Sequence, residues 1–293
     1  MKRRVIAVLG GDIRMNFAAR KLVELGHDVR EWGRNRDDDA IVFSKQANEW
    51  FSDVDVLMFP LPTSFDGTHI WTPLHESGDD LRMETFFRSA ANKLWLVGRL
   101  NESLSLRIKQ EGIDCIDYFE SEILQLKNAL PTAQGAIEIA MRELSIVLDG
   151  AKVAVIGYGR IGEVLSHKLK VLGANVTVYA RRQESCIRAE IFGCNSKQII
   201  QPSRGDDIFD FDTNTRVIFN TVPSRLFTRS VLQSLPRECL IIDLASAPGG
   251  IEINAANELG IRFIWATALP GKCAPESAGI FLGETAHSIL LDV

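Results

Sequence analysis

The sequence predicts an α/β chain of two doubly wound parallel-sheet domains, the second a dinucleotide-binding Rossmann domain. Three observations predict it. Lys152 to Arg182 reads as a buried strand (Val153-Ala154-Val155-Ile156), a glycine turn (Gly157-Tyr158-Gly159-Arg160-Ile161-Gly162), an amphipathic helix and a second strand (Val176-Thr177-Val178-Tyr179). The same layout stands at the amino terminus, where VIAVLGGDIRMNFAARKLVELGHDVREWGR aligns with VAVIGYGRIGEVLSHKLKVLGANVTVYARR. Elsewhere, strand-length apolar runs alternate with helical periodicity, the mark of a parallel sheet covered on both faces.

The glycine turn has a physical reading at each position. Gly157 permits the tight turn, Gly159 lets backbone approach a pyrophosphate, and Gly162 lets helix and strand pack closely. The helix that follows, with Ile161, Val164, Leu165, Leu169 and Leu172 on its apolar face, is ended by Gly173. Its first residues, Arg160 and Ile161 among them, offer free N–H groups and a partial positive charge to phosphates. An NAD site usually places Asp or Glu at the end of the second strand. Here Ala180-Arg181-Arg182 stand there, with Ser185 just beyond. Two guanidiniums in place of a carboxylate suit a 2′-phosphate, so the expected cofactor is NADP.

In chain order, Arg4 to Leu9 is a buried strand, Met15 to Leu25 a helix ended by Gly26, and Val29 to Trp32 a strand. The first turn departs from the phosphate pattern. Asp12 occupies the second glycine position and Met15 the third, and a carboxylate there repels a pyrophosphate. This domain is therefore expected to have a nucleotide fold without a nucleotide. Strands follow at Asp55–Pro60, Leu94–Gly98 and Ile113–Tyr118, with helices near Ser44–Phe51, Leu81–Ala91 and Glu102–Glu111. The loop Pro60 to Gly67 falls at the carboxyl edge of the sheet, where open α/β folds bind ligands. The polar stretch Asp66 to Asp80 reads as a cover over a site.

Pro131 to Leu148 reads as a connecting helix with proline in its first turn. After the central unit, strands are expected at Val217–Val222, Leu240–Leu244 and Phe263–Ala266, with a further one near Gln198–Gln201. Helices are expected around Arg229–Leu235 and Ile251–Leu259. The last helix, Ala274 to Leu291, must bury its apolar face and is expected to return to the first domain. The domains are thus 1–130 plus 274–293, a flavodoxin- or Rossmann-like substrate domain, and 131–273, the NADP-binding domain.

A formal charge of −5 gives no reason to expect nucleic acid or an anionic membrane as partner, and no apolar run is long enough to span a bilayer. The five cysteines are scattered without CxxC spacing, which reads as reduced thiols in a cytoplasmic protein and offers no metal site.

Three carboxyl-edge loops converge on the glycine turn: Asn220-Thr221-Val222-Pro223-Ser224, Asp243 to Gly250, and Ala268 to Pro275. Asn220, Thr221, Val222 and Pro223 are expected to flank the cofactor, with Thr132 of the connecting helix beside them. Ser246 can hydrogen-bond a substrate. Asp243 reads equally as a functional carboxylate and as a sheet-end cap.

The two-domain plan resembles the D-2-hydroxyacid dehydrogenases, but their Arg, Glu and His are missing from DLASAPGG and ALPGKCAPESAG. Together VLGGDIRM, PLPTSFDG, LPTAQGAIEIAM, NTVPS, DLASAPGG and ALPGKCAPESAG resemble the family of dipicolinate synthase A-subunits over nearly the whole chain. Gln134 departs from the glutamate expected there. The resemblance implies a CH–CH oxidoreductase of sporulating bacteria, in the mother-cell cytoplasm. It would oxidise a dihydrodipicolinate to pyridine-2,6-dicarboxylate with NADP, beside the flavoprotein-like B-subunit of dipicolinate synthase and as a homo-oligomer. A doubly charged substrate needs cations, and the candidates are Arg14 and Lys272. A non-catalytic nucleotide-binding or scaffold component is the alternative, since no residue is an unmistakable catalyst.

Overall fold

The computed structural model describes residues 3–33, 42–43, 53–74, 81–90, 92–199 and 209–293. The chain divides into two compact units, residues 1–128 with 274–293, and residues 129–273. The first carries β1 (Val5–Leu9), α1 (Ile13–Glu24), β2 (Asp28–Trp32), β3 (Val42–Phe43), β4 (Val56–Met58), α2 (Met83–Ser89), β5 (Leu94–Val97), α3 (Glu102–Gln110), β6 (Cys115–Asp117) and the start of α4 (Glu122–Glu143). The second continues α4 and carries β7 (Lys152–Ile156), α5 (Arg160–Val171), β8 (Asn175–Ala180), α6 (Gln183–Ile191), β9 (Asn195–Gln198), β10 (Thr215–Asn220), α7 (Arg229–Gln233), β11 (Leu240–Asp243), α8 (Ile253–Glu258), β12 (Arg262–Trp265) and α9 (Leu269–Cys273). The chain then returns to the first unit as α10 (Pro275–Leu291).

Both sheets are parallel and six-stranded, in the orders β3-β2-β1-β4-β5-β6 and β12-β11-β10-β7-β8-β9. In each the order reverses once, between β1 and β4 and between β7 and β10. Ligands of such sheets sit beyond the carboxyl ends of the strands at that reversal. The strands that flank it are buried on both faces, so they read as continuous apolar runs rather than alternations. Ala7 and Leu9 pack into one core with Phe86 and Trp95. Ile6 and Val8 face the other, with Met15, Leu22 and, from α10, Leu282 and Ala286. In the second unit Val153 and Val155 face one core, and Ala154 and Ile156 the opposite one.

Helix α10 lies close on α1 because two of its residues have no side chain. A Cβ at Gly279 would stand 2.3 Å from the Arg14 carbonyl oxygen, and one at Gly283 2.8 Å from that of Ala18. Burial of Leu282, Ala286 and Leu290 supplies the drive that holds the helix there.

Some elements differ from the sequence reading. Pro131 is not in a first turn but inside α4, which begins at Glu122. Burial of Leu124, Ala129 and Ala133 carries the helix through the proline despite the missing N–H. Helix α6 starts directly after Arg182, where the sequence reads as loop. Its buried residues Cys186 and Ala189 are small, so its periodicity is faint. The segment holding Lys272 is the one-turn helix α9 rather than a loop. The strand expected near Gln198–Gln201 ends at Gln198. The helix expected near Ser44–Phe51 and residues 75–80 of the polar stretch lie outside the described residues.

Candidate functional site

The glycine turn between β7 and α5 is built as a phosphate cradle. Gly157 has φ +92, and a Cβ there would stand 2.4 Å from Thr221 Oγ1, so both its backbone and its space demand glycine. A Cβ at Gly162 would be 2.1 Å from the Gly157 carbonyl oxygen, which is the close helix–strand packing this position serves. Gly159 is different: a Cβ there meets nothing within 4 Å. The space in front of it is open. Gly159 is the N-cap of α5 and provides no side-chain cap. The first N–H groups of the helix therefore point without a protein acceptor toward that space, with the positive end of the helix dipole behind them. Phosphate oxygens meet that need.

At the end of β8, Ala180 is buried while Arg181 and Arg182 are exposed. Among the described residues neither guanidinium has a hydrogen-bond or ion-pair partner; only the Arg181 carbonyl is engaged, by Gln198 at 3.0 Å. Arg182 is the N-cap of α6 and Ser185 lies in its first turn. Two uncommitted cations and a helix start thus stand where a ribose 2′-substituent would be read.

The remaining carboxyl-edge loops are tied to each other. Thr221 donates through its hydroxyl to the Ile156 carbonyl at 2.8 Å, so that group braces the turn. Asn220 is fully buried, donates to Asp243 Oδ1 at 2.8 Å and to the Val222 carbonyl at 3.1 Å, and accepts from the Val222 N–H. Asp243 also accepts from the backbone of Ala245 and Gly250. Its two readings from sequence resolve here: it caps the turn after β11, and Asn220 shapes the Thr221–Val222–Pro223 loop through it. Ser246 and Lys272 are exposed, and Thr132 of α4 is half-buried. Among the described residues, the Lys272 ammonium has no ion-pair partner.

The corresponding turn of the first unit is filled. Asp12 is the N-cap of α1, and its carboxylate accepts from the Arg14 N–H at 3.1 Å and from Arg14 Nε at 2.8 and 3.0 Å. The Gly11 N–H donates to the Trp71 carbonyl at 2.7 Å, and a Cβ at Gly10 would strike Thr72 and Ile70. The segment 70–72 thus covers the turn and a side-chain carboxylate takes the place of an anion. Arg14 itself is buried, with a second donor 2.7 Å from the Leu61 carbonyl and its guanidinium carbon 5.9 Å from the Trp71 ring centre. It is a fixed cation, unlike a solvated helix-start residue.

Two residues at this edge escape a reading of the sequence. His69 pairs with Asp66 at 2.8 Å in the loop after β4. Arg99, at the end of β5, is exposed and adopts φ +51, an uncommon conformation for a side-chain-bearing residue. The signal for His69 is its three-residue spacing from Asp66 inside a ligand-edge loop; Arg99 leaves none. The other described histidines are structural. His167 meets the Tyr158 hydroxyl at 3.0 Å, and His27 meets His287 at 3.0 Å. Burial pushes the Cys115 and Cys239 thiols up to about 12. Among the described residues no three His, Cys, Asp or Glu side chains cluster as metal ligands would, and no helix is long and apolar enough to cross a membrane.

Two doubly wound sheets, one with an open dinucleotide turn, define the fold class of the two-domain nicotinamide dehydrogenases. L-alanine dehydrogenase shares that fold at TM-score 0.63 and 16% identity, over 98% of this chain and 89% of its own. Residues 5–119 belong to the N-terminal domain family of the dipicolinate synthase A-subunit. The whole chain is similar to the dipicolinate synthase A-subunit of Bacillus subtilis (strain 168), with 28% identity over 291 residues, 98% of this chain and 96% of that protein. The crystal structure of the Bacillus subtilis dipicolinate synthase A chain has TM-score 0.87 at 28% identity, over 100% of this chain and 97% of that one. That of the Bacillus halodurans A-subunit also gives 0.87, at 25% identity over 98% and 97%.

Proposed function

We propose that the chain is an NADP-dependent oxidoreductase that converts a dihydrodipicolinate to pyridine-2,6-dicarboxylate beside a second, flavoprotein-like subunit, in the cytoplasm of a sporulating cell and as a homo-oligomer. The observation that carries the reading is the open turn at Gly159 followed, at the end of β8, by two unpaired arginines. The substrate is inferred from the full-length similarity to the dipicolinate synthase A-subunit.

In this reading the N–H groups of Arg160, Ile161 and Gly162 bind the pyrophosphate, and Arg181, Arg182 and Ser185 hold the 2′-phosphate. The Thr221–Pro223 loop, braced through Asn220 and Asp243, and Thr132 shape the ribose and nicotinamide end. Bound NADP+ supplies the hydride acceptor. Lys272 and Arg14 meet the carboxylates of the substrate, and Ser246 adds a hydrogen bond. Arg14 brings a fixed charge, and Lys272 an adjustable one on a flexible stem. Forming an aromatic ring is strongly downhill, so most of the barrier is met by positioning.

The test is NADPH formation from NADP+ and dihydrodipicolinate by the chain together with its second subunit. Lys272→Ala is expected to lower kcat/KM at least about tenfold, or about 1.4 kcal/mol, with NADP affinity unchanged. NADPH formation that requires only the second subunit would assign the chemistry there and leave this chain as a scaffold.

A further inference from the structure

The loop after β4 carries an imidazole held in one orientation. His69 Nδ1 lies 2.8 Å from Asp66 Oδ2 and 2.9 Å from the Thr68 hydroxyl. The other oxygen of Asp66 accepts from the Thr68 N–H at 2.8 Å, from the His69 N–H at 2.8 Å and from the Ser64 hydroxyl at 3.1 Å. These donors, the His69 N–H foremost and the imidazole next, hold the Asp66 carboxyl well below the usual carboxylate range. An ionised acceptor at Nδ1 assigns the proton to that nitrogen and leaves the Nε2 lone pair outward. Among the described residues nothing hydrogen-bonds Nε2, and the side chain is 55% exposed. A carboxylate that orients an imidazole and supports its charged form is the arrangement of a general base.

The loop is pinned at the ligand edge of the sheet. The Thr63 N–H donates to the Gly98 carbonyl at 2.7 Å, and the Gly98 N–H donates back to Thr63 Oγ1 at 2.9 Å, fixing the loop to the end of β5. The Trp71 N–H bonds the Thr63 carbonyl, and the Trp71 carbonyl accepts from Gly11 at the end of β1. His69 therefore stands on backbone anchored on both sides of β4, at the point where the strand order reverses. The same loop presents Phe65, 73% exposed and edge-on to Trp71 at 5.8 Å, as an aromatic surface. A staple for the loop would need only the three backbone and hydroxyl donors to Asp66. The imidazole contact adds nothing to such a staple, yet it aims a basic nitrogen outward.

We infer that His69, oriented by Asp66, is the base that takes the proton released when the dihydropyridine is oxidised. The inference rests on the reaction proposed above. Two ring C–H bonds break in that reaction: one leaves as hydride to the nicotinamide of NADP+, the other as a proton. The electron pair left by the proton completes the aromatic sextet, and Nε2 of His69 becomes N–H. One substrate and one NADP+ give one aromatic dicarboxylate, one NADPH and one proton, which the imidazolium then passes to solvent. His69 is the catalytic residue, and Asp66 acts through it as a positioning residue.

The experiment compares wild type, His69→Gln, His69→Ala, Asp66→Asn and the His69→Gln/Asp66→Asn pair, each with the second subunit present, by NADPH formation across pH. His69→Gln is expected to lower kcat about a hundredfold or more, the usual worth of a general base, with KM within about threefold. It should also abolish the acid limb of the pH profile. Added imidazole should restore turnover to His69→Ala but not to wild type. Asp66→Asn should lower kcat about tenfold and add nothing to His69→Gln, since both act through one nitrogen. A His69→Gln enzyme with wild-type kcat and an unchanged pH profile overturns the inference while leaving the reaction standing. A wild type that makes no NADPH from dihydrodipicolinate overturns the reaction and this inference with it.

Discussion

Replacing Gly159 by alanine separates a glycine kept for a ligand from one kept for packing. The backbone there, at φ −92 and ψ −162, is extended and open to any residue, and the added methyl meets no atom within 4 Å. Stability should therefore stay within about 0.5 kcal/mol of wild type, or rise by about 0.4–1 kcal/mol as the unfolded chain loses freedom. Binding should not survive so well. The methyl occupies the space open to the pyrophosphate, and hydrogen bonds to a charged group are worth about 1.5–3 kcal/mol each. Loss of one such bond weakens Kd by at least about tenfold. Gly162→Ala is the mirror experiment: its Cβ would sit 2.1 Å from the Gly157 carbonyl oxygen, and overpacking of that kind costs about 1–3 kcal/mol or more. For a chain of this size that is about 2–4 °C of Tm per kcal/mol. NADPH fluorescence titration and thermal unfolding of both variants supply the measurements. Wild-type NADPH affinity in Gly159→Ala would refute the cradle; unfolding of Gly159→Ala would refute the steric argument.

Removing both guanidiniums, Arg181→Ala with Arg182→Ala, should weaken NADP by about 1.5–3 kcal/mol per lost contact and leave NAD unchanged; equal wild-type affinities for the two dinucleotides would rule out the assignment. Because Asp12 and residues 70–72 fill the first unit's turn, calorimetry should count one dinucleotide per chain, and a second site would contradict that structure-based expectation. Burial, then the charges of His287 and Arg4, lower the pKa of His27, against an opposing pull from Asp28. The folded chain thus holds His27 neutral where the unfolded chain takes up a proton, so its contribution is complete above about pH 6.5 and is lost as pH falls below that. Urea unfolding across this window should show stability dropping toward acid, and His27→Gln should flatten the drop; an equal slope in the variant would remove His27 as the cause.

The sequence by itself determined whatever rests on neighbours along the chain. The turn at Gly157, Gly159 and Gly162 was legible because the steric demands of a strand–turn–helix junction fall within six residues. The buried strands were legible because a doubly covered parallel strand must be apolar throughout, as Ile6 to Leu9 and Val153 to Ile156 are. Asp12 at the start of α1 signalled a turn unsuited to phosphate for the same local reason. Tertiary structure decided what depends on distant residues. Leu124 and Ala129 found burial that carries α4 through Pro131, although a local rule places proline at a helix start. The segment 70–72 reached back some sixty positions to close the first turn, and Asn220 met Asp243 beneath the cofactor loops. Lys272 gained a helical setting and Arg14 a fixed one, which the residue types alone do not specify. His69 illustrates the boundary most clearly. Its spacing from Asp66 is local, but only the anchoring of Thr63 on Gly98 and of Gly11 on Trp71 turns that spacing into an imidazole held at the ligand edge. Contacts of long sequence separation leave no periodic trace, because what selects them is the shape of the closed core rather than the order of residues along the chain.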